Sequence, residues 1–360
     1  MLKVTIRPHW EIRFHTGEPL DTAALIALLV AVQDAGSIAQ AARTVKLSYR
    51  YAWGLLREAE VRFGSALLVT GRGRGAELTP VGEKLVWADR RIAARLSPTL
   101  ESLASELESE LGKIAADQMR QLRMDASHGF AVAALMTMLD QMELPVELRY
   151  RNSTDAVAAL SRGECDLAGF HVPSGRFEKA AVAWYARWLD PAEHCLIHLA
   201  VRQQGLFVAP HNPLGITGLA DLARPDVRFV NRQVGSGTRM LLQLMLADAG
   251  IATSAIAGFN SAEFTHSAVA AYIASDMADV GIGVRTAAQR FHLDFIDLAR
   301  ERYFFAIRRS ALNDPLIRQL IDILQTPAYH EQVNQLTGYT ADDTGTILSL
   351  EQAFGPQSAG

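Results

Sequence analysis

Residues 35–53 are punctuated more tightly than any other stretch of the chain. Gly36 tolerates the left-handed backbone that ends a helix, Ser37 follows it as an N-cap, a short alanine-rich run comes next, and Ser48 opens another helix. Ala39, Ala41 and Ala42 are small enough for one helix to pack closely on another. Upstream, Leu25, Leu28, Leu29 and Val32 recur at helical spacing behind the capping pair Asp21 and Thr22. The pattern predicts a helix over residues 19–34, a short one over 38–44 and a third from Ser48 to about residue 63. These are the parts of a helix-turn-helix, whose last helix enters the major groove of DNA.

On that reading Ser37 and Gln40 of the short helix, and Ser48, Tyr49, Arg50, Tyr51 and Arg57 of the third, present hydrogen-bond donors to base edges and phosphates. Trp53 is expected to pack inward. Residues 66–70 and 77–79 read as two strands around a Gly-Arg-Gly-Arg-Gly tip, a wing whose Arg72 and Arg74 suit backbone or minor-groove contact. Residues 3–14 alternate in polarity and predict one more strand. Charge agrees with a DNA-binding first quarter. Residues 1–95 hold 14 Lys+Arg against 9 Asp+Glu, although the whole chain has a formal net charge of −4.

The runs Ala35-Gly36-Ser37-Ile38-Ala39-Gln40-Ala41-Ala42, Leu47-Ser48-Tyr49-Arg50-Tyr51-Ala52-Trp53 and Leu78-Thr79-Pro80-Val81-Gly82 resemble the winged helix of the ModE-type molybdate-responsive regulators, and more loosely that of LysR-type regulators. The resemblance covers residues 1–90 and implies binding to a double-stranded DNA operator.

Beyond it, Leu100, Leu103, Leu107, Leu111 and Ile114 form one apolar stripe, which needs a partner. Residues 91–118 are therefore expected to link and dimerise the protein, with Pro98 breaking the segment into two helical pieces. From residue 119 short apolar strands alternate with helices, the sign of a parallel α/β sheet. Two such series follow each other, one over about 119–200 and one over 201–302. A late strand and helix over 303–345 return to the first, giving a two-lobed domain over 119–345.

Ligands of open α/β sheets sit beyond the carboxyl ends of strands, at helix N-termini. Three such junctions carry suitable groups: Ser127 with His128, Asn152 with Ser153, and the run Arg232-Gln233-Val234-Gly235-Ser236-Gly237-Thr238-Arg239; His266 opens a further helix. Glycines permit close backbone approach, while hydroxyls and arginine suit an oxyanion. A serine at such a turn is more often a plain helix cap, so the prediction rests on several junctions meeting at one cleft. The GxxxxGK[ST] pattern of nucleotide hydrolysis is absent. Cys165 and Cys195 form neither a disulfide framework nor a CxxC pair, and no metal site is expected.

The segment from Asn231 to Arg239 and Glu263-Phe264-Thr265-His266-Ser267-Ala268-Val269-Ala270-Ala271 resemble the periplasmic-binding-protein-like, or molybdate-binding-protein-like, domain found fused to ModE-type winged helices. That resemblance implies a ligand between two lobes, with molybdate or tungstate as effector. The fold class expected is thus multidomain α/β: a winged helix-turn-helix, a linker helix and a two-lobed periplasmic-binding-protein-like domain. The function expected is that of a cytoplasmic, dimeric regulator needing no cofactor and no membrane. Three alternatives stay open: a regulator of another anionic metabolite, an enzyme on the same scaffold, and a ligand-independent architectural repressor.

Overall fold

The computed structural model describes residues 3–14, 19–71, 75–115 and 120–355, so Arg72 and Arg74 of the expected wing tip lie outside the described residues. The chain divides into two compact units, residues 7–96 and residues 97 onward together with the first six.

In the smaller unit, α1 (Thr22–Ala35), α2 (Ile38–Thr44) and α3 (Tyr49–Phe63) start where the sequence places caps. Asp21, Ser37 and Ser48 each accept a bond from a first-turn backbone N–H, and Gly36 ends α1 at φ 63°. β1 (Leu68–Gly71) and β2 (Gly75–Leu78) pair antiparallel, with Leu68 opposite Leu78. The Ala76 N–H donates to the Gly36 carbonyl at 2.8 Å, which fastens the wing to the end of α1. Leu25, Leu28, Leu29, Ala41, Ala52, Leu56 and Val86 share one core. Residues 3–14 form no strand, contrary to the expectation from their alternation. Their N–H groups go to side chains instead, Val4 to the Glu108 carboxylate at 2.7 Å and Ile12 to Thr22 Oγ1 at 2.9 Å.

α4 (Pro80–Ala115) is one helix with Pro98 inside it, so the connector is not two pieces. An interior proline costs about 3 kcal/mol. Beyond the proline, Ser102, Ser105 and Ser109 of α4 bond to a strand of the larger unit.

The larger unit contains β3 (Leu122–Ala126), α5 (Phe130–Gln141), β4 (Val146–Tyr150), α6 (Ser153–Ser161), β5 (Leu167–Pro173), α7 (Glu178–Tyr185), β6 (His194–Val208), β7 (Phe229–Arg232), α8 (Gly237–Asp248), β8 (Ala262–Glu263), α9 (His266–Ala274), β9 (Val280–Val284), α10 (Arg285–Arg290) and β10 (Asp294–Arg308). It closes with α11 (Pro315–Leu324), α12 (Pro327–Asn334), β11 (Tyr339–Thr340), β12 (Ile347–Leu348) and α13 (Leu350–Phe354). The strand order is β4-β3-β5-β10-β6-β9-β7-β8, with β11 and β12 added on β6.

The sheet is mixed, not parallel throughout. β3, β4 and β5 are parallel in one half and β7, β8 and β9 in the other, while β6 and β10 run antiparallel through both. Each of these two has 15 residues, a span of about 50 Å. The strands expected over 205–209 and 303–307 are only segments of them. Register shifts at Asp297/Ala299 and Tyr303/Phe304 interrupt the pairing of β10 with β6.

Candidate functional site

Four strand-to-helix junctions come together between the lobes, and their N-caps separate them. Asn152 Oδ1 accepts from the Asp155 N–H at 2.8 Å, Ser236 Oγ from the Arg239 N–H at 3.3 Å, and Thr265 Oγ1 from the Ala268 N–H at 2.9 Å. Those helices spend a donor on their own caps. α5 differs, because its cap residue is Gly129, which has no side chain with which to bond the first turn. Its leading amides and dipole therefore face the cleft unclaimed by a cap.

Arg232 stands at the same place. It is 5% exposed, and its Nη2 donates to the Phe264 carbonyl at 2.6 Å, while Nε and Nη1 are buried with no acceptor. Burial, reinforced by the nearby Arg202 charge, pushes its guanidinium down to about 9. Arg202 is compensated, since its Nε and Nη2 reach Glu301 Oε2 at 3.0 and 2.8 Å. Gln204 Nε2 adds bonds to the same carboxylate oxygen at 2.7 Å and to Thr238 Oγ1 at 2.8 Å. Burial opposes the Arg202 charge, yet Glu301 outweighs it and its pKa is raised. These three ionic groups leave one positive charge in excess, on Arg232.

Three imidazoles surround that charge. Burial, followed by Arg232, pushes His128 down to about 4. His171 and His266 are held well below the ordinary histidine value, by burial first and then by the two arginines. All three are neutral at pH 7. Arg202 Nη1 lies 3.4 Å from His266 Nε2, and arginine only donates, so Nε2 accepts and Nδ1 carries the proton. Ser127 Oγ lies 3.2 Å from His171 Nδ1, and the His171 ring meets Tyr303 edge-on at 4.3 Å.

The remaining expected ligand residues shape the walls. Gly235 sits at φ 81°, where a side chain is strained, and a Cβ there would come within 2.8 Å of Asn152 Nδ2. Gly237 passes close to His171, and Ser153 is fully buried beside it. Gln233 accepts through its carbonyl from Ser236 Oγ at 2.9 Å, which folds the loop on itself. Arg239 is turned away from the cluster. Its guanidinium donates to the Arg232 carbonyl at 3.2 Å and to Asn260 Oδ1 at 3.4 Å, and stacks 4.9 Å from the Phe259 ring. The sequence reading missed His171 and, on the two long strands, Arg202, Gln204 and Glu301. The strands expected over 205–209 and 303–307 stop short of these last three, and the register that sets Arg202 opposite Glu301 is a long-range pairing.

In the smaller unit Gln40, Ser48, Tyr49, Arg50, Tyr51 and Arg57 are all exposed, and Ser37 is half-buried. Trp53 is 39% exposed and does not pack inward as expected. The neighbouring Ala52, with Leu55, Leu56 and Ala59, occupies the inner face of α3, and one residue turns a helix by about 100°. Arg57 covers the Trp53 ring at 5.7 Å. Tyr51 donates its hydroxyl to Asp21 at 3.0 Å, which ties α3 to the cap of α1. On α4, Leu103, Leu107 and Leu111 are exposed. No helix among the described residues is long and apolar enough to cross a membrane, and none of the described His, Cys, Asp or Glu residues form a group that could hold a metal ion.

The bacterial regulatory helix-turn-helix of the lysR family matches residues 24–83, and the PBP superfamily domain matches residues 135–325. The Bacillus subtilis (strain 168) protein YvgK is 31% identical over 200 residues, which cover 56% of this chain and 64% of that protein. The molybdenum-pterin-binding protein MopB of Rhodobacter capsulatus is 34% identical over 146 residues, 39% of this chain and 52% of that one. The chain thus spans under two thirds of YvgK and about half of MopB. Among solved structures, a mutant of Corynebacterium glutamicum OxyR is covered over 95% of its length by 89% of this chain at 17% identity, with a TM-score of 0.43. With more than half of its length matched, the chain belongs to the PBP superfamily, and it carries that domain behind a regulatory helix-turn-helix of the lysR type.

Proposed function

We propose that this DNA-binding regulator senses a small oxyanion, molybdate or tungstate foremost, held between its lobes at the start of α5. The observation that carries the reading is Arg232, a buried cation with two unclaimed N–H groups in the company of an uncapped helix N-terminus. An anion there satisfies both donors and offsets the excess positive charge. Ser127, His128 and His266 are its nearest polar company, each neutral imidazole able to offer one N–H. Ser153, Thr238 and the Gly235–Gly237 turn supply the opposing walls, while Asn152, Gln233, Ser236 and Arg239 hold that turn in shape. Molybdate and tungstate come first among tetrahedral dianions because MopB, a partial relative, is named for molybdenum.

Ser37, Gln40, Ser48, Tyr49, Arg50, Tyr51 and Arg57, with Arg72 and Arg74 of the wing, make the DNA contacts in this account. Leu103, Leu107 and Leu111 pair two chains into a homodimer, so that two recognition helices read two half-sites. An anion that binds the closed lobes better than the open ones shifts the protein between two DNA affinities. Calorimetric titration with molybdate, tungstate and sulfate, paired with binding to a duplex selected from a random library, tests this. One anion per chain and a DNA affinity changed at least 5-fold are expected. Anion binding that leaves DNA affinity unchanged, or no binding, would end the proposal.

A further inference from the structure

β4 is the edge strand of the sheet, and α4 lies along it. Ser105 Oγ accepts from the Leu148 N–H at 2.8 Å and Ser102 Oγ from the Tyr150 N–H at 2.9 Å, while Ser109 Oγ donates to the Glu147 carboxylate at 3.3 Å. Three serines at spacings of three and four share one face of the helix and take the place of a neighbouring strand. Ser102 also donates to the Pro98 carbonyl at 2.8 Å, so its hydroxyl ties strand and helix together. At the end of β4, Tyr150 does more than dock. Burial, and then the adjacent Glu101 carboxylate of α4, raise the pKa of its hydroxyl, and its ring meets the His128 ring edge-on at 4.9 Å. His128 directly precedes Gly129, the cap of α5, and feels the Arg232 charge. One aromatic residue therefore touches the wall of the anion site on one side and α4 on the other.

We propose that Tyr150 is the positioning residue that couples the anion site to α4: an anion seated beside His128 fixes the Tyr150 ring, and Tyr150 in turn holds Glu101 and Ser102. The link rests on the site reading given above, and it commits to one output element. A purely structural Tyr150 would affect stability but not the ratio between DNA affinities with and without the anion.

The test uses the full chain with molybdate as the probe. Tyr150→Phe removes the hydroxyl and keeps the ring, Glu101→Ala removes the adjacent carboxylate, and Glu101→Gln restores an acceptor oxygen. Tyr150→Phe and Glu101→Ala are expected to bind molybdate within about 3-fold of the wild type while the molybdate-linked change in DNA affinity falls below 2-fold, and Glu101→Gln to recover at least half of the wild-type change. In the wild type, molybdate slows hydrogen exchange at the Leu148 and Tyr150 amides, and in Tyr150→Phe it does not. The coupling alone is overturned if wild type and both disruptive variants show the same molybdate-linked change, or if the two amides exchange equally with and without molybdate. Loss of molybdate binding in Tyr150→Phe also overturns it, by making Tyr150 a ligand contact. No molybdate, tungstate or sulfate binding by the wild type overturns the site reading and the coupling with it.

Discussion

Replacing Arg232 with methionine should make the ligand-free protein more stable while removing its anion site. In the wild type two guanidinium donors are buried without acceptors, and each costs about 1–3 kcal/mol. The charge-assisted bond from Nη2 to the Phe264 carbonyl returns about 2 kcal/mol. Methionine gives up that bond, relieves both unpaired donors and keeps a long, adaptable side chain in the space. The balance is a gain of about 2 kcal/mol. The depressed guanidinium points the same way: a base held down to about 9 is a charge the fold resists, and the penalty is in full force at every pH below that value. For a domain of this size the gain raises Tm by about 4–8 °C. Scanning calorimetry of both proteins without anion, then titration with molybdate, reads the two effects. A variant that melts below the wild type, or binds molybdate as well, would refute the reasoning.

Other outcomes follow from the same geometry. Glu301→Ala strands the buried Arg202 and should cost about 3–5 kcal/mol by urea denaturation; a loss under about 1 kcal/mol contradicts the pairing. In the unfolded chain the His128 imidazole binds a proton near 6.5, but in the fold only near 4, so the unfolded state holds more protons between these values. Stability therefore falls as pH drops through that window, by about 3 kcal/mol for this residue, and His128→Asn should flatten the decline in denaturation curves taken from pH 7 to 4. Gly235→Ala puts a Cβ against Asn152 at a left-handed backbone position, and molybdate affinity measured by calorimetry should drop roughly 10-fold through about 1–2 kcal/mol of strain in the closed form. Arg50→Ala should lower DNA affinity and reduce the slope of log K against log salt by about 1; an unchanged slope removes Arg50 from the phosphate contacts.

Local features were legible in the sequence and long-range pairings were not. Asp21, Ser37 and Ser48 cap their helices because a cap depends only on the next three residues. Alternation at residues 3–14 misled because a strand also needs a partner edge, and those amides find side chains instead. Pro98 stays inside a helix because the docking of α4 on β4 lies far away in sequence. At the site, Arg232 was legible as a cation at a strand end, yet what makes it singular is the pairing of Arg202 with Glu301, 99 residues apart, which leaves Arg232 alone. Arg239 looked equally suitable from its place in the loop, and only the positions of Phe259 and Asn260 draw it away.

Tungstate soaked into crystals of the full chain, located by its anomalous scattering, would put the account to its most direct trial. The account predicts one strong peak per chain within hydrogen-bonding reach of Arg232 Nε and Nη1 and of the first amides of α5. A fully occupied peak elsewhere, or none beside an ordered and unchanged Arg232, would contradict it.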